Sequence, residues 1–258
     1  EGYKAGDHYL PEYHLWGPRD YYKSDFYYGS LCHFASEIGY HGCPMPESIR
    51  EFCSPDKVWP WQNNEEWLLH AASPVPGIDI WDYRIELMAK QIRELFGRVP
   101  ENLEDYAFAS QVSQAEAKKF FIELFRVTKW RRTGILWWNL MDGWPQFSDA
   151  IVDYYFRQKL AYPFIKRSQE PLMLTLAEPG NWVHQLVACN DTRQDLALSY
   201  AVRDVASGEV LVSGQGTAWA DRSTVLGTVP YSQGDHRFYV LTWHSTMGEG
   251  INHYLAGN

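Results

Sequence analysis

Cysteine is scarce. Cys32, Cys43, Cys53 and Cys189 are the only ones among 258 residues, too few for a disulfide scaffold. None of them forms a Cys-x-x-Cys pair, so a zinc ribbon is excluded. Buried thiols are the expectation, with room for one disulfide. No run of about 18 apolar residues occurs, so neither a membrane span nor a membrane partner is expected. Basic residues are in deficit: 23 Lys and Arg stand against 32 Asp and Glu, a net charge of −9. That balance argues against a face built to neutralise phosphates, and so against nucleic acid as a partner. There is no P-loop, no Gly-x-Gly-x-x-Gly and no metal-ligand spacing, so no cofactor and no metal are expected. No charged-then-apolar leader opens the chain, which starts at Glu1 within polar sequence, and the compartment is not legible there.

Aromatic residues are abundant: 12 Trp, 17 Tyr and 12 Phe, more than a core of this size needs. Such rings serve packing, and they also stack on the faces of sugars. Charged residues make up 21% and hydrophobic ones 45%, which fits a folded globular chain and not a disordered one.

Two unequal parts meet near Glu170-Pro171. In the first, Trp81, Ile85, Met88, Ile92 and Leu95 fall on one helical face. Asp79 is the N-cap candidate for a helix over 79–97 that Gly97 closes. A second helical stretch covers about 102–130. Asn102 starts it, and an internal Ser113-x-x-Glu116 capping box suggests two helices. Lys129-Trp130-Arg131-Arg132 reads as its basic end. Pro46 suits the first turn of a short helix, and a further one is expected from Phe156 to about Arg167, bent at Pro163. Strand candidates are Tyr13–Trp16, Leu31–Ser36 and Gly134–Trp138. The last is a nearly all-apolar run, as in a parallel strand buried on both faces. Strand, long helical segment and buried strand together suggest βα units.

The second part, 171–258, carries strand-like runs about every ten residues, separated by turn chemistry such as Pro179-Gly180-Asn181 and Ser207-Gly208. This is the pattern of a small antiparallel β-sandwich. Only three convincing parallel strands lie in the first part, whereas a closed (β/α)8 barrel needs eight strands and about 250 residues. If these βα units belong to a barrel, most of it is expected upstream.

Three segments could carry chemistry. In Cys32-His33-Phe34-Ala35-Ser36-Glu37-Ile38-Gly39 a carboxylate ends a short apolar strand. A Glu there can attack a sugar's anomeric carbon if a second carboxyl protonates the leaving oxygen; equally, it can cap a loop or pair with an arginine. In Trp137-Trp138-Asn139-Leu140-Met141-Asp142-Gly143-Trp144-Pro145 the adjacent tryptophans point to opposite faces of a strand. One can therefore floor a sugar site while Asp142 binds hydroxyls, or both can be core. In Tyr13-His14-Leu15-Trp16-Gly17-Pro18, His14 and Trp16 share a face.

Taken in order, these segments resemble the C-terminal part of glycoside hydrolase family two, within its β-mannosidase-like branch. His14-Leu15-Trp16 is similar to that family's sixth-strand motif, Ser36-Glu37-Ile38-Gly39 to its seventh, and Trp138 to Pro145 to its eighth. Val152-Asp153-Tyr154-Tyr155 through Ala161-Tyr162 resembles the exit from the barrel. Asn252-His253-Tyr254-Leu255 is similar to the last strand of the sandwich that follows. The resemblance implies an α/β plus all-β protein: 1–170 as the C-terminal portion of a (β/α)8 glycosidase barrel, 171–258 as an immunoglobulin-like β-sandwich. It implies a retaining exo-β-glycosidase acting on an oligosaccharide or glycoside. Glu37 falls on the nucleophile, Trp138 on the platform under the sugar, Asp142 on the acidic residue beside it, and His14 and Trp16 on the pocket wall. Met141 and Asn139 depart from the family's Asn and Gln, which puts the sugar's identity in doubt.

The family's acid/base is a Glu after an Asn, upstream of the nucleophile. The one Asn-Glu pair here, Asn64-Glu65, comes after Glu37 within polar sequence and reads as a loop or helix start. The acid/base is therefore expected in upstream domains of the same polypeptide, and these residues alone are expected to be inactive. The competing readings are a non-catalytic carbohydrate-binding or assembly module, with Trp182, Trp219 and Trp243 as stacking residues, and a pseudoenzyme.

Overall fold

A computed structural model describes residues 10–71, 82–232, 234 and 236–257. The described residues group into two compact units. One lies within Glu1–Phe121 and Gly134–Lys166, the other within Ile122–Thr133 and Arg167–Asn258.

The first unit holds a three-stranded parallel sheet in the order β1-β2-β3: β1 (Leu10–His14), β2 (Cys32–Gly39) and β3 (Gly134–Trp138). Between these strands come α1 (Asp25–Tyr28), α2 (Pro46–Phe52), α3 (Glu65–Leu69), α4 (Tyr83–Phe96) and α5 (Leu103–Val127). Parallel neighbours require long crossovers, and helices supply them. α2 opens with Pro46 at its first position, where the missing N–H costs nothing. α4 buries Ile85, Met88 and Ile92 and stops at Gly97, whose φ of 73° a side chain would resist. The expected cap Asp79 and the residue Trp81 lie outside the described residues. A core of Ile49, Trp67, Met88, Ile92, Tyr106 and Phe147 gathers residues from helices and loops across this unit.

Three local expectations need correction. The stretch after Asn102 is one continuous helix, not two. Asn102 does start it, since its side chain accepts from the Asp105 N–H. Ser113 and Glu116 are buried within it, and no Gly or Pro between 103 and 127 offers a break. Lys129-Trp130-Arg131-Arg132 lies beyond the end of α5. Lys129 instead pairs with Asp191 at 2.9 Å and Asp221 at 2.8 Å, and its ring neighbour Trp130 donates to the Asp221 carbonyl. The last helix of the first part, α6, spans only Ala161–Ser168. Residues 156–160 are held out of it by Asp153, whose side chain accepts from the backbone N–H groups of Tyr155 and Arg157. Pro163 then sits in the first turn of α6 and bends nothing.

In the second unit every strand pair is antiparallel. One sheet runs β10-β9-β6-β7 and the other β4-β5-β8, with β4 at Leu172–Leu176, β5 at Val183–Asn190, β6 at Leu196–Asp204, β7 at Val210–Ala218, β8 at Arg222–Pro230, β9 at Arg237–Ser245 and β10 at Gly248–Ala256. Leu174, Leu186, Leu198, Val202, Leu241 and Tyr254 from both sheets share one core. The period-two alternation is clear in β6, where Leu196, Leu198 and Val202 are buried and Ala197, Ser199 and Arg203 are exposed. The polar Asn252 inside this core is satisfied, because its amide donates to Glu123 at 2.9 Å and to the Leu174 carbonyl at 2.9 Å. All four cysteines are buried free thiols.

Candidate active site

Because β1, β2 and β3 run parallel, their C-terminal ends emerge on one side of the sheet, where open α/β folds place their ligands. Irregular register decides which residues meet there. A shift between Tyr13 and His14 sets His14 opposite Glu37. A second shift between Ala35 and Ile38 sets Ile38 opposite Trp137 and Gly39 opposite Trp138. His14 Nδ1 lies 3.1 Å from Glu37 Oε2, and the Glu37 side chain keeps 27% of its surface accessible. Trp137 turns toward the Lys118 ammonium, while Trp138 turns out and is 51% exposed. Gly39 is required by a close approach: a Cβ there would lie 2.4 Å from the Trp16 ring and 2.9 Å from Asp149 Oδ1.

These strand ends open into a cavity of about 650 Å³ lined by Trp16, Arg19, Glu37, Tyr83, Trp138 and Asp149, with Gly17, Arg84, Asn139, Gln146 and Ser148 completing the wall. Its size falls in the range of small-molecule sites. The Arg19 guanidinium sits 5.0 Å from the Trp16 ring centroid and 5.8 Å from that of Tyr83, whose hydroxyl accepts from it.

Under the cavity floor is a buried charge cluster. Gly42 and Ser148 form a backbone bridge between the loop after β2 and the loop after β3, with Gly42 N–H donating to the Ser148 carbonyl at 3.0 Å. The bridge brings His41 Nδ1 to 3.2 Å from Asp149 Oδ1, with both side chains 2% exposed or less. The approach is close enough for charge attraction but misaligned for a hydrogen bond, so Asp149 Oδ1 has no hydrogen-bond donor. Burial pushes the Asp149 carboxyl up, but His41, Lys118 and Arg19 outweigh it and hold it below the ordinary carboxylate range. Burial lowers the Lys118 ammonium to about 7 against the pull of Asp149, and Lys118 donates to the Trp138 carbonyl. The cluster thus fastens the cavity floor to the backbone of the exposed tryptophan.

Glu37, Trp16 and Trp138 therefore meet in one cavity, and His14 touches Glu37. Asp142 is placed differently. It is 1% exposed and is not among the lining residues. Its Oδ1 accepts from Gln146 Nε2 at 2.7 Å and Ser148 Oγ at 2.6 Å, and burial raises its carboxyl despite these bonds. It orients two residues of the wall instead of facing the space. Asn64 caps α3 by accepting from Glu66 and Trp67 N–H, and Glu65 is an exposed partner of Lys57. Trp59 and Trp61 pack against the core around Trp67 and Tyr106. In the second unit Trp243 is part of the shared core and borders two cavities, while Trp182 and Trp219 are exposed and are not among the residues that line those two. Arg19 and Asp149 sit in loops beside the segments that the sequence singles out, and Tyr83 at a helix start, so no pattern of residue types marks them. The single clue was His41, two residues past the strand that carries Glu37.

The chain is β-mannosidase-like and similar to part of a glycoside hydrolase family two protein. It is 32% identical over 123 residues to β-mannosidase B of Aspergillus niger, covering 44% of this chain and 14% of that protein. Its fold matches the β-D-mannosidase of Dictyoglomus thermophilum with a TM-score of 0.76 and 25% identity over 95% of this chain. It also matches an exo-chitosanase of Amycolatopsis orientalis, with a TM-score of 0.72 and 19% identity over 95% of this chain. The chain spans 30% of the length of either structure. No family model matches it.

Proposed function

We propose that this chain is the nucleophile-bearing part of a retaining exo-β-glycosidase that removes terminal β-linked sugars, β-mannosides in the first place. In this reading residues 1–170 are the last portion of a (β/α)8 barrel and 171–258 an immunoglobulin-like sandwich. The observation that carries it is the meeting of Glu37, Trp16 and Trp138 around one cavity at the C-terminal ends of three parallel strands, with His14 against Glu37. Such a face is where barrel enzymes hold their chemistry.

The terminal sugar lies with its apolar face on Trp138 and its anomeric carbon before Glu37. The Glu37 carboxylate attacks that carbon as the glycosidic bond breaks, and the aglycone oxygen leaves with a proton from a general acid. Water, deprotonated by that same second carboxyl, then cleaves the glycosyl ester and restores the β configuration. His14 fixes the Glu37 carboxylate from the neighbouring strand. The second carboxyl of the cavity, Asp149, is a poor candidate for the acid, because its surroundings keep it ionised. In this reading the acid is supplied by strands upstream in the same polypeptide, and no carboxyl among the described lining residues stands in for it.

Two protein preparations test this. The polypeptide that includes the upstream strands should hydrolyse an aryl β-mannoside with the β-anomer as first product, as nuclear magnetic resonance would show. The present 258 residues alone should show no turnover. Release of the α-anomer, or clear turnover by the 258 residues, would reject the assignment.

A further inference from the structure

The wall of the cavity is short of hydrogen-bond donors to its own acceptors. Ser148 spends its one donor on Asp142, and Gln146 one of its two. Asn139 donates from Nδ2 to the Met141 carbonyl at 3.3 Å, which fixes its amide orientation and leaves Oδ1 turned the other way. Asn139 Oδ1 and Asp149 Oδ1 then have no protein donor among the described residues, although both atoms are buried. Buried acceptors of this kind cost stability unless something supplies protons to them. Both residues line the same cavity as Glu37 and Trp138.

From this pairing we infer that Asp149 and Asn139 form an acceptor subsite for hydroxyl groups of the terminal sugar, and that the subsite selects a neutral sugar over an amino sugar. The inference rests on the glycosidase reading of the same cavity. A carboxylate alone would welcome an ammonium group as readily as hydroxyls. Asp149, however, already faces the Arg19 guanidinium, the Lys118 amine and the imidazole of His41, and the Arg84 guanidinium lines the same space. A further cation brought to it meets repulsion from this surround, whereas a hydroxyl brings a proton without charge.

The test uses the polypeptide with its upstream strands and three kinds of aryl β-glycoside: the mannoside, a monodeoxy mannoside for each hydroxyl, and the 2-amino-2-deoxymannoside. The mannoside should exceed the amino sugar at least about 100-fold in kcat/KM. One deoxy position should cost about 10- to 100-fold, the penalty of a missing hydrogen bond to a charged acceptor. In Asp149→Asn that deoxy penalty should shrink to about threefold or less, while the penalties at other positions stay. If Asp149→Asn does not fold, as circular dichroism would reveal, Asn139→Ala should show the same collapse at an adjacent position. An undiminished deoxy penalty in both variants, or preference for the amino sugar, would overturn the inference while leaving the glycosidase reading intact. Absence of turnover on every glycoside would sink that reading instead; calorimetric binding of mannose, lost in Asp149→Asn, would then still uphold the subsite, and equal binding by the two proteins would refute it.

Discussion

Glu37→Gln, made in the polypeptide that includes the upstream strands, is expected to lower hydrolysis of an aryl β-mannoside by about 10³- to 10⁵-fold, the usual scale for removing a nucleophile. The substitution keeps shape and removes only the attacking charge. Among the described residues Glu37 has one side-chain partner, His14, and it is partly open to the cavity. The fold therefore should not change, and the thermal midpoint should stay within a few degrees of the parent. Substrate binding should also persist, because Trp138 and the cavity wall remain. Steady-state kinetics with an activated leaving group read the effect, and circular dichroism checks the fold. Turnover within tenfold of the parent would remove Glu37 from the reaction.

Trp67→Ala should be the most damaging single change to stability. Trp67 is fully buried, stacks on Phe147 at 4.2 Å between ring centroids, and meets Trp59 and Tyr106 edge-on. Its indole N–H donates to the Val58 carbonyl at 3.2 Å. Truncation removes those contacts, leaves a cavity and strands a carbonyl, so a loss of about 3–5 kcal/mol is expected in denaturant titration. Activity should fall as well. Phe147 lies between Gln146 and Ser148 of the cavity wall, and its backbone is tied to the His70 carbonyl at 2.8 Å. A loss under about 1 kcal/mol would show that this core is not the support described.

Much of this was legible from residue order alone, for identifiable reasons. Gly134–Trp138 is legible at its observed bounds because an apolar run closed by polar turns leaves few alternatives. Glu37 stood out because a carboxylate at the end of an apolar strand is costly without a partner, and the partner, His14, was in another motif. The role of Asp142 was harder. Sequence gives its place in the motif but not the direction of its side chain, which Gln146 and Ser148 settle. Asp149 could not be read at all, since its position depends on the Gly42–Ser148 bridge between loops more than a hundred residues apart in the chain. The helix ends failed where side chains captured the backbone, as Asp153 does before α6.

The most direct measurement is to incubate the polypeptide carrying the upstream strands with 2-deoxy-2-fluoro-β-mannosyl fluoride and map the modified peptide by mass spectrometry. Fluoride leaves as a carboxylate oxygen bonds to the anomeric carbon, and the ring fluorine slows hydrolysis of the resulting ester. The label should sit on Glu37 in stoichiometric amount. A label on any other carboxylate would contradict the account.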